Sequence, residues 1–258
     1  MPIHPSAIVD PAAHVAKSAD IGPFCVIGAN VRVGPGTKLM GHVFAEGPLS
    51  IGEDNVFYPY STVGVAPQDL KYKGERSATQ IGDRNRIREF VTIHRGTEGG
   101  GLLTSVGSDN LLMAYTHVAH DVKIGDHTVL SNGVTLAGHV IIGDWAVIGA
   151  FSGVHQFCRV GRHAMIGGYS VITQDVLPFA TTVSTRTNKT FGANRTGLER
   201  RGFADDSIEP LQTAFRLLTR ARLNTTQAIE RIKTELPATQ EIAELLEFIA
   251  SSQRGFIK

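Results

Sequence analysis

Residues Ile124 to Gly143 read IGDHTVLSNGVTLAGHVIIG, and this stretch decides the fold. An aliphatic residue recurs at every sixth position, namely Ile124, Leu130, Leu136 and Ile142. Amphipathic helices repeat at about 3.6 residues and half-buried strands at about 2, so neither element explains the spacing. A six-residue period predicts a solenoid in which each unit supplies one short strand and one turn.

The same frame extends outward from this stretch in both directions. It runs from Ile3 to Val63, resumes from Ile81 to Ile93 and, after a shift of one residue, continues from Val106 to Ile172. Ile, Leu or Val occupies 24 of these 26 in-frame positions. Gly often follows, as at Gly125, and we expect it to allow the tight turn. Three units complete a coil, so residues 18 apart should stack at about the 4.8 Å spacing of paired strands.

Two segments interrupt the frame. Residues 64–80 are expected to replace one 18-residue coil and to protrude as a loop, and residues 94–105 form a second loop. The second contains Gly99 to Gly101, which we interpret as a turn and not as a phosphate-binding loop. Insertions of this length in a regular solenoid are more often functional than accidental.

The period changes after the last coil, near Asp175 to Pro178. We predict a β-solenoid domain over residues 1–190 and a C-terminal α-helical domain over residues 191–258. Helical spacing covers 207–223 and 241–249, with a helix between them capped by Thr225 or Thr226. These helices bury little by themselves, so they should pack on the solenoid or on a neighbouring subunit. Residues 186–201 hold five basic residues against one acidic residue and are a candidate anion site.

Composition excludes several classes of protein. The chain has 258 residues, 42% hydrophobic and 19% charged, with a formal net charge of +1, so it is not expected to bind nucleic acid. The N-terminus lacks the pattern of a secretory signal, and no apolar run reaches the ~18 residues of a membrane span. We therefore expect a cytoplasmic protein without stable membrane insertion.

Stacking at 18-residue intervals collects polar residues on one edge of the coils. His120, Gly138 and Gln156 form one column, and Asp121 and His139 form the next. His155 adjoins Gln156, and His117 precedes His120 by three residues. Such a concentration of imidazole and carboxylate groups indicates an active site. The alternative is a zinc site with histidine ligands, as in γ-class carbonic anhydrases, but their ligand spacing differs, so we predict no metal.

Eight short runs are more specific than the repeat: QDLKY at 68–72, IGDRN at 81–85, IHRGT at 93–97, GSDNLLM at 107–113, HVAHD at 117–121, LAGH at 136–139, HQFC at 155–158 and RRGF at 200–203. Together they resemble the UDP-N-acetylglucosamine O-acyltransferases of lipid A biosynthesis over nearly the whole chain. The resemblance implies a left-handed parallel β-helix and a homotrimer with an active site in each cleft between subunits. It also implies transfer of an (R)-3-hydroxyacyl group from acyl carrier protein to the glucosamine 3-hydroxyl of UDP-N-acetylglucosamine, without a cofactor.

The resemblance assigns roles by matching positions. His120 matches the catalytic base, Asp121 would orient it, and the backbone N–H of Gly138 would stabilise the thioester oxygen as charge develops. Substrate contacts are implied for Gln68, Asp69, Lys71, His117, His139, His155, Gln156, Asn194 and Arg200. Gly168 matches the position that limits acyl length. Arg216, Arg220 and Arg222 either face the acidic carrier protein or form a solvated helix face.

The chain departs from the family pattern around the nucleotide. Ser184 to Asn188 stand where the family commonly reads Gln-Gly-Asn-His, and Thr196 stands where a Glu is common. Two alternatives to O-acyl transfer therefore stay open. One is N-acyl transfer to a 3-amino sugar nucleotide or another acceptor. The other is a non-enzymatic scaffold or ice-binding solenoid, which should carry a loop-free face with a threonine ladder, unlike this chain.

Overall fold

A computed structural model describes residues 3–184 and 188–258 of the chain, so Thr185 to Thr187 of the divergent segment lie outside the described residues. Short strands follow one another from Ile8 to Ala193. In chain order they are β1 (Ile8–Val9), β2 (His14–Val15), β3 (Asp20–Ile21), β4 (Val26–Ile27), β5 (Val31–Val33), β6 (Lys38–Leu39), β7 (Phe44–Ala45), β8 (Leu49–Ile51), β9 (Val56–Phe57), β10 (Thr62–Val65), β11 (Ala78–Ile81), β12 (Arg86–Ile87), β13 (Thr92–His94), β14 (Leu103–Val106), β15 (Leu111–Leu112), β16 (His117–Val118), β17 (Lys123–Ile124), β18 (Val129–Leu130), β19 (Thr135–Leu136), β20 (Ile141–Ile142), β21 (Val147–Ile148), β22 (Gly153–Val154), β23 (Arg159–Val160), β24 (Met165–Ile166), β25 (Val171–Ile172), β26 (Ala180–Ser184) and β27 (Asn188–Ala193).

Every third strand joins the same sheet, so the solenoid has three faces, and each face is a sheet of strands that are parallel except for β27. Face 1 runs from β1 through β16, β19 and β22 to β25, face 2 from β2 to β23, and face 3 from β3 through β24 to the antiparallel pair β26–β27. Val118 pairs with Leu136 and Leu136 with Val154, which confirms the predicted 18-residue stacking. The in-frame aliphatic side chains point inward and form the buried core.

The corners between faces correct one expectation about glycine. The positive-φ corner positions between β1 and β25 are mostly aromatic, Asn, Asp or His residues, such as Asp121 at φ 61° and His139 at φ 63°. Glycines that follow the aliphatic positions are needed for close approach instead. A Cβ on Gly125 would lie 2.1 Å from Oδ1 of Asp144 in the next coil. The repeat therefore selects glycine mainly where coils touch, and only some corners, such as those at Gly36 and Gly133, use glycine for its positive φ.

The two predicted insertions lie at the same corner of consecutive coils. Val63 on face 1 and Ile81 on face 2 are consecutive positions of one coil, so residues 66–77 lengthen a single corner between these faces. The expectation that the first loop replaces a whole coil is wrong. The second insertion, between β13 and β14, lengthens the same corner in the next coil, and the third such corner is 119–122. Both loops thus lie beside the His120–Asp121 turn.

Four α-helices follow the solenoid: α1 (Arg195–Arg200), α2 (Asp205–Thr219), α3 (Thr225–Glu235) and α4 (Gln240–Ala250). The six-residue α1 was not predicted. The side chain that caps α3 is Asn224 and not Thr225 or Thr226, because Asn224 Oδ1 accepts from the N–H of Gln227. The helices pack on the solenoid, as Leu211 and Phe215 are fully buried and α2 contacts β27.

The division between residues 190 and 191 falls inside β27 and stays a prediction. Among the described residues, no helix combines the length and apolar character that crossing a bilayer requires.

Candidate active site

The corner between β16 and β17 holds His120 and Asp121 side by side. Nδ1 of His120 lies 2.8 Å from Oδ2 of Asp121, and Asp121 is only 3% exposed. A buried carboxylate accepts hydrogen bonds, so Nδ1 carries a proton, and in the neutral ring Nε2 then has the free lone pair. The arrangement presents a neutral imidazole nitrogen as a base, with a carboxylate behind it to stabilise the imidazolium.

The second inserted loop holds this carboxylate from the opposite side. Thr97 donates its backbone N–H to Oδ1 of Asp121 at 2.9 Å and its hydroxyl to Oδ2 at 2.6 Å. Gly100 covers the carboxylate so closely that a Cβ at this position would lie 1.9 Å from its Cγ. Gly100, in the run interpreted as a turn, thus forms part of the wall behind the base.

Gly138 lies directly against His120 from the next coil. A Cβ on Gly138 would be 2.5 Å from Cε1 and 2.7 Å from Nε2 of His120, so the position admits no side chain without moving the ring. The backbone N–H of Gly138 donates to no acceptor among residues 3–184 and 188–258. A free N–H beside a basic nitrogen is a suitable donor to a developing oxyanion.

The first inserted loop closes the other side of the base. Oδ2 of Asp69 lies 4.0 Å from Nε2 of His120, which leaves the two groups without a direct hydrogen bond. A hydroxyl group between them could donate to one and accept from a neighbouring donor. The loop lines an open cleft of about 750 Å³, together with residues that include Thr97, His139 and Phe157. Gln68 is exposed and is not among the lining residues.

His139 and Phe157 form the floor of this cleft. The His139 ring stacks on Phe157 with centroids 4.4 Å apart and meets His120 edge to face at 5.1 Å. Nδ1 of His139 is 3.9 Å from Oδ2 of Asp121. Burial lowers the pKa of His139 in spite of the nearby Asp121, so the ring is neutral at neutral pH.

His117 lies on face 1 and not in the corner with His120. Its Nδ1 bonds the Thr92 hydroxyl at 2.7 Å, and its ring meets that of His94 edge to face at 4.9 Å. Burial lowers the pKa of His117 and lowers that of His94 to about 4. The sequence predicted His117 close to His120, and the structure places it on face 1, in contact with Thr92 and His94.

A second groove of about 500 Å³ continues from His139 and Phe157 toward the C-terminus. His155 and Gln156 are exposed beside it. Nη1 of Arg254 lies 3.5 Å from Nδ1 of His155, and the guanidinium lies 5.6 Å from the centroid of the Phe157 ring. Within the described residues Arg254 forms no ion pair with a carboxylate, so it offers a positive charge to this groove.

Asn194 and Arg200 line a different cleft of about 510 Å³, against Val147, Met165 and Thr181 of face 3. This cleft shares no lining residue with the cleft at His139. Asn194 also caps α1 and bonds the carbonyl of His163 at 3.0 Å. One chain therefore does not bring Asn194 and Arg200 to His120.

The candidate anion segment is less positive than its sequence suggests. Arg195 contacts three carboxylates, those of Glu199, Asp205 and Glu209, and two of these lie outside the segment. Arg201 stacks over Trp145 at 5.2 Å, and burial lowers its pKa. Arg200 is exposed and remains a candidate ligand for an anion.

Gly168 is exposed at a corner between faces 3 and 1 and therefore lies at a different edge from His120.

His120, Asp121 and His139 are also close enough to raise the question of a metal, since their ligand atoms lie within 4.8 Å of one another. The hydrogen bonds argue against that use. Both oxygens of Asp121 already accept from Thr97, and Nδ1 of His120 donates to Asp121 and is not free to ligate. The donor set suits a hydrogen-bonded base better than a cation.

Three residues of the site were missed from the sequence. Thr97 and Gly100 belong to the second insertion, and the position of that insertion next to the HVAHD corner was the available signal. Arg254 gave no signal, because only the return of the C-terminal segment, where Ile257 N bonds Asp175 O, brings it to the groove.

Comparison with known proteins agrees with this geometry. The family model described as UDP N-acetylglucosamine O-acyltransferase, domain 2, matches residues 175–257, and the bacterial transferase hexapeptide model matches residues 104–138. An acyl-[acyl-carrier-protein]–UDP-N-acetylglucosamine O-acyltransferase of Thermodesulfovibrio yellowstonii is 47% identical over 256 residues, which is 99% of both chains. The enzyme of the same name from Stenotrophomonas maltophilia strain R551-3 is 43% identical over 99% of this chain and 97% of its own.

Solved structures agree over the whole fold. LpxA from Acinetobacter baumannii superposes with a TM-score of 0.96 at 42% identity and full coverage of both chains. The UDP-N-acetylglucosamine acyltransferase of Francisella novicida gives a TM-score of 0.96 at 41% identity, covering 99% of this chain and 93% of its own. The predicted fold class, a left-handed parallel β-helix with a C-terminal helical segment, is confirmed.

Proposed function

Because the chain belongs to the UDP-N-acetylglucosamine O-acyltransferase family, we propose that it transfers a 3-hydroxyacyl group from acyl carrier protein to the glucosamine 3-hydroxyl of UDP-N-acetylglucosamine. The observation that carries the mechanism is the hydrogen-bonded pair of His120 and Asp121, with Nε2 of His120 lying 4.0 Å from Oδ2 of Asp69, a residue that lines the cleft. A sugar hydroxyl is a poor nucleophile until a base removes its proton, and neutral imidazole suits that task near neutral pH.

In the proposed reaction, Nε2 of His120 accepts the proton of the sugar hydroxyl as its oxygen attacks the thioester carbonyl carbon. The tetrahedral intermediate then collapses, the C–S bond breaks, and the leaving sulfur takes the proton from Nε2. Asp121 stabilises the imidazolium between these two steps, through the 2.8 Å bond to Nδ1. The acyl donor is already activated as a thioester, so the proposed mechanism uses no cofactor.

The Gly138 N–H is the proposed donor to the thioester oxygen. Gly138 packs against the His120 ring, and its N–H is free of a protein acceptor among the described residues. A preorganised donor at this position strengthens its hydrogen bond as the carbonyl oxygen gains charge. His120 would thus act on the attacking hydroxyl group, and the Gly138 N–H on the oxygen of the thioester carbonyl.

Asp69, Lys71 and His139 line the cleft that would hold the sugar. We place the anionic diphosphate of the acceptor in the neighbouring groove, where Arg254 and His155 offer nitrogen donors next to Gln156. We also assign substrate contacts to His117, which lies on face 1, and to Gln68, which lies on the first inserted loop.

A complete site would require a second copy of the chain. The residues assigned to one substrate lie in two separate clefts, one at His120 and one at Asn194 and Arg200. We propose that face 3 of one copy meets the His120 edge of the next in a homotrimer, which would also bring Gly168 to the acyl chain.

An exposed aromatic column supports this assembly. Phe24, His42, Tyr60, Phe90 and Tyr115 stack ring on ring along one edge, with centroids 4.9–5.1 Å apart. An exposed apolar stripe of this length is typical of an interaction surface.

The test is acyl transfer from a series of 3-hydroxyacyl carrier proteins to UDP-N-acetylglucosamine, with the 3-amino sugar nucleotide as a parallel acceptor. We expect transfer to the 3-hydroxyl and a loss of about 10²–10⁴-fold in His120→Ala with the assembly intact. Turnover only with the amino sugar would show that the acceptor is the 3-amino sugar nucleotide. Unchanged turnover in His120→Ala would show that His120 is not the base. The cytoplasmic location stays a prediction.

A further inference from the structure

The wall behind the catalytic pair is built by the second inserted loop. Asp121 presents two oxygens, and Thr97 donates to both of them, through its N–H to Oδ1 and its hydroxyl to Oδ2. His120 donates to the same Oδ2 at 2.8 Å. The Thr97 hydroxyl and the His120 imidazole therefore share one acceptor atom.

The loop is itself anchored at a distance from the base. Arg95, which is 8% exposed, donates Nε to the Gly64 carbonyl at 2.8 Å and Nη2 to Oε1 of Glu46 at 2.6 Å. Gly100 closes over the carboxylate, and Thr97 is itself only 5% exposed. The carboxylate of Asp121, a residue that is 3% exposed, is thereby shielded from bulk solvent.

We infer that Thr97 is a positioning residue of the reaction, whose hydroxyl fixes the Asp121 carboxylate and spreads its charge so that His120 keeps its Nδ1–H form. The inference rests on the proposed acyl transfer. Hydrogen bonds to a charged carboxylate favour the charged form and reduce its basicity. With the hydroxyl removed, the negative charge concentrates on the oxygen that faces His120. The imidazolium form of His120 is then stabilised relative to the neutral form that acts as the base.

Other ionisable groups also face the pair and stay constant in the test. Asp69 approaches Nε2 of His120 from the first loop, and His139 approaches Asp121 from the next coil. His117 and His94 lie behind them on face 1. A change confined to Thr97 leaves all four in place.

The informative substitution is Thr97→Val, with Thr97→Ser as its matched control. Valine keeps the volume, the branch at Cβ and the backbone N–H bond to Oδ1, and the extended backbone of Thr97, at φ −127° and ψ 164°, accepts it. Serine keeps the hydroxyl. We expect kcat/KM near neutral pH to fall on the order of tenfold in the valine variant. The acidic limb of its pH profile should move to higher pH, and the serine variant should restore both.

A mutant cycle with Asp121→Asn separates positioning from general damage to the loop. If Thr97 acts through the Asp121 charge, Thr97→Val should add little further loss in the Asp121→Asn background. The proposal is overturned by a valine variant with the wild-type rate and pH profile, by a serine variant as impaired as the valine variant, or by losses that simply multiply in the double variant. Wild-type turnover in the same assay tests the proposed function separately.

Discussion

Replacing Gly138 by alanine tests the geometry of the reacting centre with a single methyl group. The Cβ would be placed 2.5 Å from Cε1 and 2.7 Å from Nε2 of His120. Nonbonded carbon atoms prefer about 3.5–4.0 Å, so the imidazole has to move by about 1 Å. Its Nδ1 is tied to Asp121, and a displacement of about 1 Å at a reacting group costs on the order of 10²-fold in rate.

The assay is steady-state acyl transfer, with kcat and KM measured separately for both substrates, and thermal unfolding measured on the same samples. Gly153→Ala is the matched control, since a Cβ at Gly153 on β22 of face 1 meets nothing within 4 Å. We expect Gly138→Ala to lose kcat with little change in the midpoint of thermal unfolding, because Gly138 has no positive φ that would strain alanine. A Gly138→Ala enzyme as fast as wild type would refute the placement of the reaction at His120 and Gly138.

Three further predictions follow from other parts of the molecule. Gly168→Met should shift the donor preference to shorter acyl chains, measured by competition between carrier proteins, and an unchanged preference would remove Gly168 from the acyl path. Arg254→Gln should raise KM for UDP-N-acetylglucosamine by about tenfold at nearly constant kcat, whereas Arg231→Gln, whose guanidinium pairs with Glu235, should not; equal effects would contradict the diphosphate assignment. Burial lowers the pKa of His163 from 6.5 to about 3, so the unfolded chain binds a proton first as the pH falls. The free energy of unfolding should therefore decline by up to about 1.4 kcal/mol per pH unit below about pH 6.5, and urea titrations of His163→Phe should lack this contribution.

Much of the fold follows from local rules that the sequence states repeatedly. The six-residue period determines strands, turns and stacking, because each coil repeats the same contact with its neighbour. The same arithmetic brought His120, Asp121, Gly138 and His139 together correctly, since corner positions 18 residues apart must lie one above another.

Only the tertiary structure decided what lies around these columns. The inserted loops have no period, so the sequence could not show that Thr97 and Gly100 enclose Asp121. Arg254 reaches its groove through contacts between residues 99 positions apart, which no local pattern records. The repeat thus determines the scaffold and the base, whereas the surroundings that tune the base depend on long-range packing of non-repetitive segments.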